Sequence, residues 1–208
     1  SLLQARADGA DVRMVYSPLD ALQLARDNPQ RPVVFFGLGF ETTMPATAMT
    51  LLQARRDGVA NFSVFCNHIT IIPTLRAILD EPDLQIDGFL GPGHVSMVIG
   101  IRCYDFIARD YQRPLTVAGF EPLDLLQALS MVIAQIADGR CEVENQYRRI
   151  VPEHGNPQAL AAMAEVFAPR ETFEWRGLGS IAQSGVRLRA DFAAFDAERI
   201  FTVPHRRV

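Results

Sequence analysis

Short apolar runs alternate with longer amphipathic stretches along most of this 208-residue chain. Five of the short runs are almost continuously apolar, as in strands that helices cover on both faces, and they predict strands. These strands are predicted at residues 12–16, 33–36, 62–65, 86–90 and 115–118. The stretches between them have helical periodicity and predict helices at residues 19–27, 43–57, 73–79, 95–111 with a break near Gly100, and 122–137. Strand and helix in regular succession indicate an α/β fold with a mainly parallel sheet.

The last third of the chain has a different pattern. Residues 145–151 and 157–167 are predicted helical, with a turn at Gly155 and Asn156 between them. After Trp175 the alternation weakens and glycines interrupt the chain. We interpret this part as an irregular extension that packs back on the α/β body.

Two internal similarities favour a body of two lobes. The string SPLDALQ at residues 17–23 returns as EPLDLLQ at 121–127, and an Arg-Pro dipeptide precedes an apolar run and Gly-Phe-Glu at both 31–41 and 113–121. The two offsets differ, so shared turn chemistry remains the alternative. The predicted fold is therefore α/β, with parallel-sheet three-layer lobes that form two Rossmann-like halves around a cleft. Residues 1–59 are assigned to the first lobe, 60–140 to the second and 141–208 to the extension.

Polar side chains follow each predicted strand. In a parallel α/β sheet such turns gather at the carboxyl edge, where ligands bind and where helix N-termini favour anions. The candidate site residues in these turns are Glu41, Thr42, Thr43, His68, His94, Ser96, Glu121 and Asp124, with Gly93, His94 and Thr42 as the candidates for cofactor contact.

The same turns also have a structural interpretation. Ser17, Thr42, Thr43 and Ser96 are favourable helix N-caps, and a lone histidine after a strand is more often a hydrogen-bonded structural residue than a ligand. Residues 37–42 fall short of a dinucleotide fingerprint because Thr42 stands where the third glycine belongs.

Composition narrows the class of protein. With 49% hydrophobic and 21% charged residues, the chain has the composition of a globular protein, and no apolar run approaches the roughly 20 residues that span a bilayer. A net charge of -4 argues against a nucleic-acid partner. All 20 cationic residues are arginine, which excludes a Schiff-base or P-loop lysine on this chain.

The three cysteines, Cys66, Cys103 and Cys141, are odd in number and widely spaced. They form neither a disulfide framework nor a CxxC metal pair, so we expect a cytoplasmic protein with no metal ligands on this chain. The first residue is serine, which suggests a piece of something longer.

Several strings resemble the hydrogenase maturation family HypD. They are FFGLGFETT at 35–43, GPGHVS at 91–96, FEPLD at 120–124, ENQYRR at 144–149, WRGLG at 175–179 and FDAER at 195–199. The resemblance runs nearly end to end and in order.

The resemblance implies a scaffold that assembles the Fe(CN)2CO group of nickel–iron hydrogenases. It implies a HypC-like chaperone and a HypE-like cyanide donor as partners, a [4Fe-4S] cluster, and two α/β lobes around a cleft. The family's CGxHT and GPGCPVC motifs and its C-terminal cluster cysteines are absent from these 208 residues. We therefore expect a central α/β region without the iron-holding and cluster ligands, and no cofactor bound to it.

Two alternatives from other classes stay open. One is a two-lobed module that binds a small anion in the same cleft. The other is an acid–base enzyme that pairs His94 with Glu41 or Glu121, although no nucleophile elbow accompanies these residues.

Overall fold

The computed structural model describes residues 2–202 and confirms a mixed α/β fold with parallel sheets. The helices are α1 Leu2–Ala7, α2 Pro18–Asp27, α3 Met44–Arg56, α4 Ile71–Leu79, α5 Gly93–Ile99, α6 Asp105–Tyr111, α7 Pro122–Ala137, α8 Pro157–Val166 and α9 Ala197–Ile200. The strands are β1 Val33–Gly39, β2 Phe62–His68, β3 Phe89–Pro92, β4 Leu115–Ala118, β5 Val143–Asn145, β6 Phe167–Pro169, β7 Thr172–Trp175, β8 Gly179–Ala182 and β9 Val186–Leu188. Short 3-10 helices occupy Arg102–Tyr104 and Ala190–Phe195.

Two separate parallel sheets make up the body. In the first sheet, β1 pairs with β2, with Val33 opposite Phe62 and Gly39 opposite His68. In the second sheet the strand order is β3-β4-β5, and Leu115 lies between Phe89 and Val143. Each sheet therefore gathers the carboxyl ends of its own strands at one edge.

Two hydrophobic cores accompany the two sheets. The first joins α2, α3 and β2 to residues of α8, β6, β9 and the 3-10 helix 190–195. The second collects α4, α6, β4 and their neighbours around the fully buried Tyr104 and Ile107. Apolar burial of this kind is the main stabilising contribution to each half.

The pairing of β2 with β1 indicates where the first half of the α/β body ends. A boundary at residue 60 would separate β2 from its partner β1, whereas the two strands pair over seven residues. We therefore propose that the first half ends after β2. The division of the chain into lobes otherwise stays a prediction, and residues 203–208 of the extension lie outside the described residues.

Local sequence explains how the main helices begin and end. Ser17 accepts a hydrogen bond from the Leu19 amide and forms a capping box with Asp20, while Pro18 takes the first helical position of α2. The break expected near Gly100 is present, because Gly100 has φ +80° and ends α5.

Two predicted elements are wrong. Residues 12–16 form no regular secondary structure, and residues 145–151 form the end of β5 followed by turns rather than a helix. The extension also contains two antiparallel pairs, β6 with β9 and β7 with β8, which its weak alternation did not indicate.

Candidate functional site

His68 ends β2 inside a closed set of hydrogen-bonding groups. Its side chain is 1% exposed, and its Nδ1 lies 3.3 Å from both the Gly39 carbonyl oxygen and Thr43 Oγ1. Its Nε2 lies 3.1 Å from Thr47 Oγ1. Burial lowers the pKa of this imidazole, which favours the neutral ring. His68 therefore ties β2 to β1 and α3, and both of its ring nitrogens are already occupied.

Gly37 makes room for this ring. A Cβ at Gly37 would lie 2.9 Å from His68 Nε2, so a larger residue would displace the imidazole. The first glycine of the FFGLGFETT string is thus explained by packing in the first sheet.

Thr42 and Thr43, the two threonines after β1, are both exposed, but the Thr43 hydroxyl is engaged within the protein. Thr43 occupies the N-cap position of α3, but its side chain does not cap the helix. Its hydroxyl lies 3.1 Å from the carbonyl oxygens of Leu38 and Phe40, where it donates back towards β1. The expected capping role is therefore confirmed for Ser17 and wrong for the Thr43 side chain.

Glu41 is a buried carboxyl group with one oxygen in use. It is 4% exposed, and its Oε1 accepts a hydrogen bond of 3.0 Å from the Ile71 amide at the start of α4. Its Oε2 is buried, and no group among the described residues donates to it. Burial raises the pKa of Glu41 because a charge there is poorly solvated.

Glu41 also acts electrostatically on Cys103, which packs against the second core. Burial is the main cause that raises the pKa of the Cys103 thiol to about 12, and the charge of Glu41 is the next largest cause.

Ser96 lies in a buried hydrogen-bonded group with Tyr104. The Tyr104 hydroxyl lies 3.1 Å from Ser96 Oγ, and Ser96 donates a hydrogen bond of 2.7 Å to the Pro92 carbonyl oxygen. Ser96 is thus a fully buried residue inside α5 rather than an N-cap.

His94 is presented to solvent at the carboxyl end of β3. It is exposed, and its ring stacks on Phe120 with centroids 4.0 Å apart. Phe120 in turn meets the edge of Tyr147 at 6.4 Å. A Cβ at Gly93 would lie 2.4 Å from the Ala118 carbonyl oxygen, so only glycine lets α5 begin this close to β4.

Asp124 anchors the turn after β4. Its carboxylate accepts two hydrogen bonds from Arg149, at 2.9 and 2.6 Å, and one from Gln146 at 2.9 Å. The Arg149 guanidinium is the main reason that the pKa of Asp124 falls to about 2. Glu121, three residues earlier, is exposed at the N-cap of α7.

The predicted residues therefore fall into two groups. Glu41, Thr42, Thr43 and His68 lie at the edge of the first sheet, and Gly93, His94, Ser96, Glu121 and Asp124 lie at the edge of the second. Among the described residues, no hydrogen bond joins His94 to Glu41 or Glu121, so neither forms an acid–base pair with it here. An exposed imidazole on an aromatic support can nevertheless donate or accept a hydrogen bond with a ligand.

Sequence reasoning missed the residues that hold these groups in place. Thr47 lies within α3 and Tyr104 within a 3-10 helix, and neither follows a strand. Arg149 and Gln146 belong to the ENQYRR string, which the sequence marks only through its resemblance to the family. That string was the one available signal for the partners of Asp124.

Within residues 2–202, no three His, Cys, Asp or Glu side chains are grouped so that they could hold a metal ion. Cys66 is buried, and burial raises the pKa of its thiol to about 11. The cysteines present do not fit an iron–sulfur cluster. In the same range, no helix is long and apolar enough to cross a membrane.

Comparisons with known proteins place these residues in context. The family model HypD, described as "Hydrogenase formation hypA family", matches residues 1–208. A protein named Hydrogenase maturation factor HypD from Rhodobacter capsulatus is 66% identical over 98% of this chain and 54% of its own length. Its namesake from Escherichia coli (strain K12) is 62% identical over 97% of this chain and 54% of its own length. The protein of the same name from Azotobacter vinelandii is 56% identical over 99% of this chain and 56% of its own length. The chain thus spans about half the length of these relatives.

Proposed function

Because the chain belongs to the HypD family of hydrogenase formation proteins, we propose that it forms the central α/β scaffold of a hydrogenase maturation factor. In this role it supports assembly of the Fe(CN)2CO group of a nickel–iron hydrogenase. The iron group is its cargo rather than a resident cofactor. The scaffold does not turn over alone.

The observation that carries this proposal is the exposed His94 ring on Phe120. It lies in the GPGHVS string, at the carboxyl end of a parallel strand, where α/β proteins bind ligands. Cyanide nitrogens on iron are electron-rich and attract hydrogen-bond donors. Among the residues predicted for the second sheet, His94 combines a ring donor with access to solvent.

The other candidates divide into contact and positioning roles in this proposal. Thr42 and Glu121 are exposed and remain candidates for contact. His68, Thr43, Ser96 and Asp124 are engaged in hydrogen bonds within the protein and position the turns. Gly93 lets α5 approach β4, and Glu41 holds the start of α4 through the Ile71 amide.

Partners and cofactors follow from the resemblance. We propose a HypC-like chaperone and a HypE-like cyanide donor as partners, a cytoplasmic location, and no nucleic-acid or membrane partner. A [4Fe-4S] cluster belongs to the longer family members in this proposal. The described cysteines do not fit such a cluster.

A chimera tests the proposed function. The matched segment of the Escherichia coli relative is replaced by these 208 residues, and hydrogenase activity is measured in cells that lack the native factor. We expect the chimera to support maturation. His94→Ala in the chimera should lower maturation about tenfold, the effect of one lost hydrogen bond to a charged group at ~1.5 kcal/mol.

His154→Ala is the matched control, because His154 is also exposed but lies in the turn before α8 rather than after a strand. It should leave maturation unchanged. A folded chimera without maturation would refute the scaffold role. Normal maturation in His94→Ala would remove His94 from the site.

A further inference from the structure

The outer side of α7 carries no charge. In this 16-residue helix the one ionisable side chain is Asp124, which is buried against the body. Six large apolar side chains of α7 are between 43% and 78% exposed. They are Leu123, Leu125, Leu126, Leu129, Ile133 and Ile136.

These side chains lie on the side of α7 that faces away from the second sheet. Ala128, Val132 and Gln135 are buried, and α7 packs against β3 and β4. At 100° per residue, Leu126 and Ile133 project opposite to that buried side. Leu126, Leu129, Ile133 and Ile136 follow one another at intervals of three, four and three residues. This is the spacing by which one helix packs against another in a coiled coil.

A helix of this kind is not typical of a surface. Helices at a surface have polar or charged residues on the solvent side, and a helix that is apolar all round is normally buried. Exposed apolar patches of more than a few hundred square ångströms mark interaction sites. Within residues 2–202, no element covers Leu126 or Ile133, which are 63% and 56% exposed.

The lengths of the relatives indicate what covers this face. The match takes up 54% of the Rhodobacter capsulatus protein and 56% of the Azotobacter vinelandii protein, so just under half of each lies outside it. We propose that an apolar helix from this remaining part of the longer family members packs on the Leu126–Ile133 face of α7. An uncharged face selects an uncharged helix, since a charge buried against it would find no partner.

This inference does not depend on the hydrogenase role. It concerns how the second half is completed within a longer polypeptide. Failure of the maturation assay would leave it standing, and its own failure would leave the maturation role standing.

Thiol labelling in the purified chimera with the Rhodobacter capsulatus relative tests it. Leu126→Cys and Ile133→Cys are compared with Ala134→Cys, which is exposed on a neighbouring flank of α7. Labelling of each site by a maleimide is followed by peptide mass spectrometry, which separates it from the native cysteines. We expect Leu126→Cys and Ile133→Cys to react at least about tenfold more slowly than Ala134→Cys, because a packed interface must open first.

Light scattering on the same samples excludes a second copy as the covering element. Protection that persists in a monomer supports the proposal, and protection that disappears on dilution to monomer overturns it. Equal labelling at all three positions also overturns it and would leave α7 open to a separate protein. If one cysteine variant fails to give a cooperative thermal transition, the other decides.

Discussion

His68 and His94 both lie at the carboxyl end of a strand of a parallel sheet, but their surroundings differ. His68 is 1% exposed, and its ring nitrogens lie within 3.3 Å of threonine hydroxyls and a carbonyl oxygen. His94 is exposed and rests on the face of Phe120. A buried neutral imidazole with satisfied nitrogens stabilises a fold, whereas an exposed ring is available to a ligand.

The difference originates in the helix that lies next to each histidine, which is α3 for His68 and α5 for His94. α3 brings Thr43 and Thr47 over the end of β2, so the imidazole of His68 is enclosed between two hydroxyls. α5 begins at Gly93, directly before His94, and turns that ring towards Phe120. Equivalent positions in two sheets therefore have different roles because their partners differ.

Loss of the His68 ring is expected to have the largest effect on stability. His68→Ala removes a buried ring and its contacts with Thr43 Oγ1 and Thr47 Oγ1, which should cost about 3 kcal/mol of the free energy of unfolding. His94→Ala removes an exposed ring and should cost no more than about 0.5 kcal/mol. Urea denaturation of both variants, followed by circular dichroism, measures the two values.

Equal losses of unfolding free energy in His68→Ala and His94→Ala would contradict the distinction between a structural and an accessible histidine. A large loss in His94→Ala would mean that its stacking on Phe120 supports the second half. A loss below about 1 kcal/mol in His68→Ala would mean that solvent replaces its hydrogen bonds at low cost.

Regular elements with strong local signals could be predicted from the sequence. The near-continuous apolar run at Leu115–Ala118 and the long amphipathic pattern at Pro122–Ala137 correspond to β4 and α7 without change. Residues 12–16 have strand-like residues but find no neighbouring strand among those described, and strands depend on pairing. In the extension, β6 likewise depends on the more distant strand β9, whereas β7 and β8 pair across the short turn at 176–178.

The candidate site could be predicted only in part. Turn chemistry pointed to His68 and His94 alike, because strand ends are visible in sequence and burial is not. The pairing of Asp124 with Arg149 spans 25 residues, and the influence of Glu41 on Cys103 spans 62. Such contacts arise from tertiary packing and have no local pattern.

The second prediction, of intermediate size, concerns how the stability contributed by His68 depends on pH. Burial lowers the pKa of His68 below 6.5, so the unfolded chain binds more protons than the folded one in this range. The contribution of the neutral His68 ring to the free energy of unfolding is complete above pH 6.5. It decreases as the pH falls, by at most about 1.4 kcal/mol per pH unit. His68→Gln should flatten the decline in stability between pH 7.5 and 5.5, measured by urea denaturation.

His94→Gln is the control for this slope, and it should retain the decline of the unmodified protein. The raised pKa of Glu41 acts in the opposite direction, since its contribution is lost as the pH rises through that pKa. Glu41 is present in all three proteins, so its effect cancels in the comparison. An unchanged slope in His68→Gln would mean that His68 binds protons equally in the folded and unfolded chains, which would contradict its lowered pKa.

Asp124→Asn should have the smallest effect on stability. This effect should change with pH only in a more acidic range than that of His68. Arg149 is about half exposed, so solvent screens the pair, but it holds the pKa of Asp124 near 2. The stabilisation is therefore complete above the unfolded value of about 3.9 and is lost as the pH falls towards 2. The difference in Tm between the unmodified protein and Asp124→Asn should be constant from pH 7 to 5 and disappear near pH 2. Asp27→Asn, at an exposed end of α2, should show no such difference. A difference that instead disappears near pH 6 would place this titration with His68 and remove the distinction between the two halves.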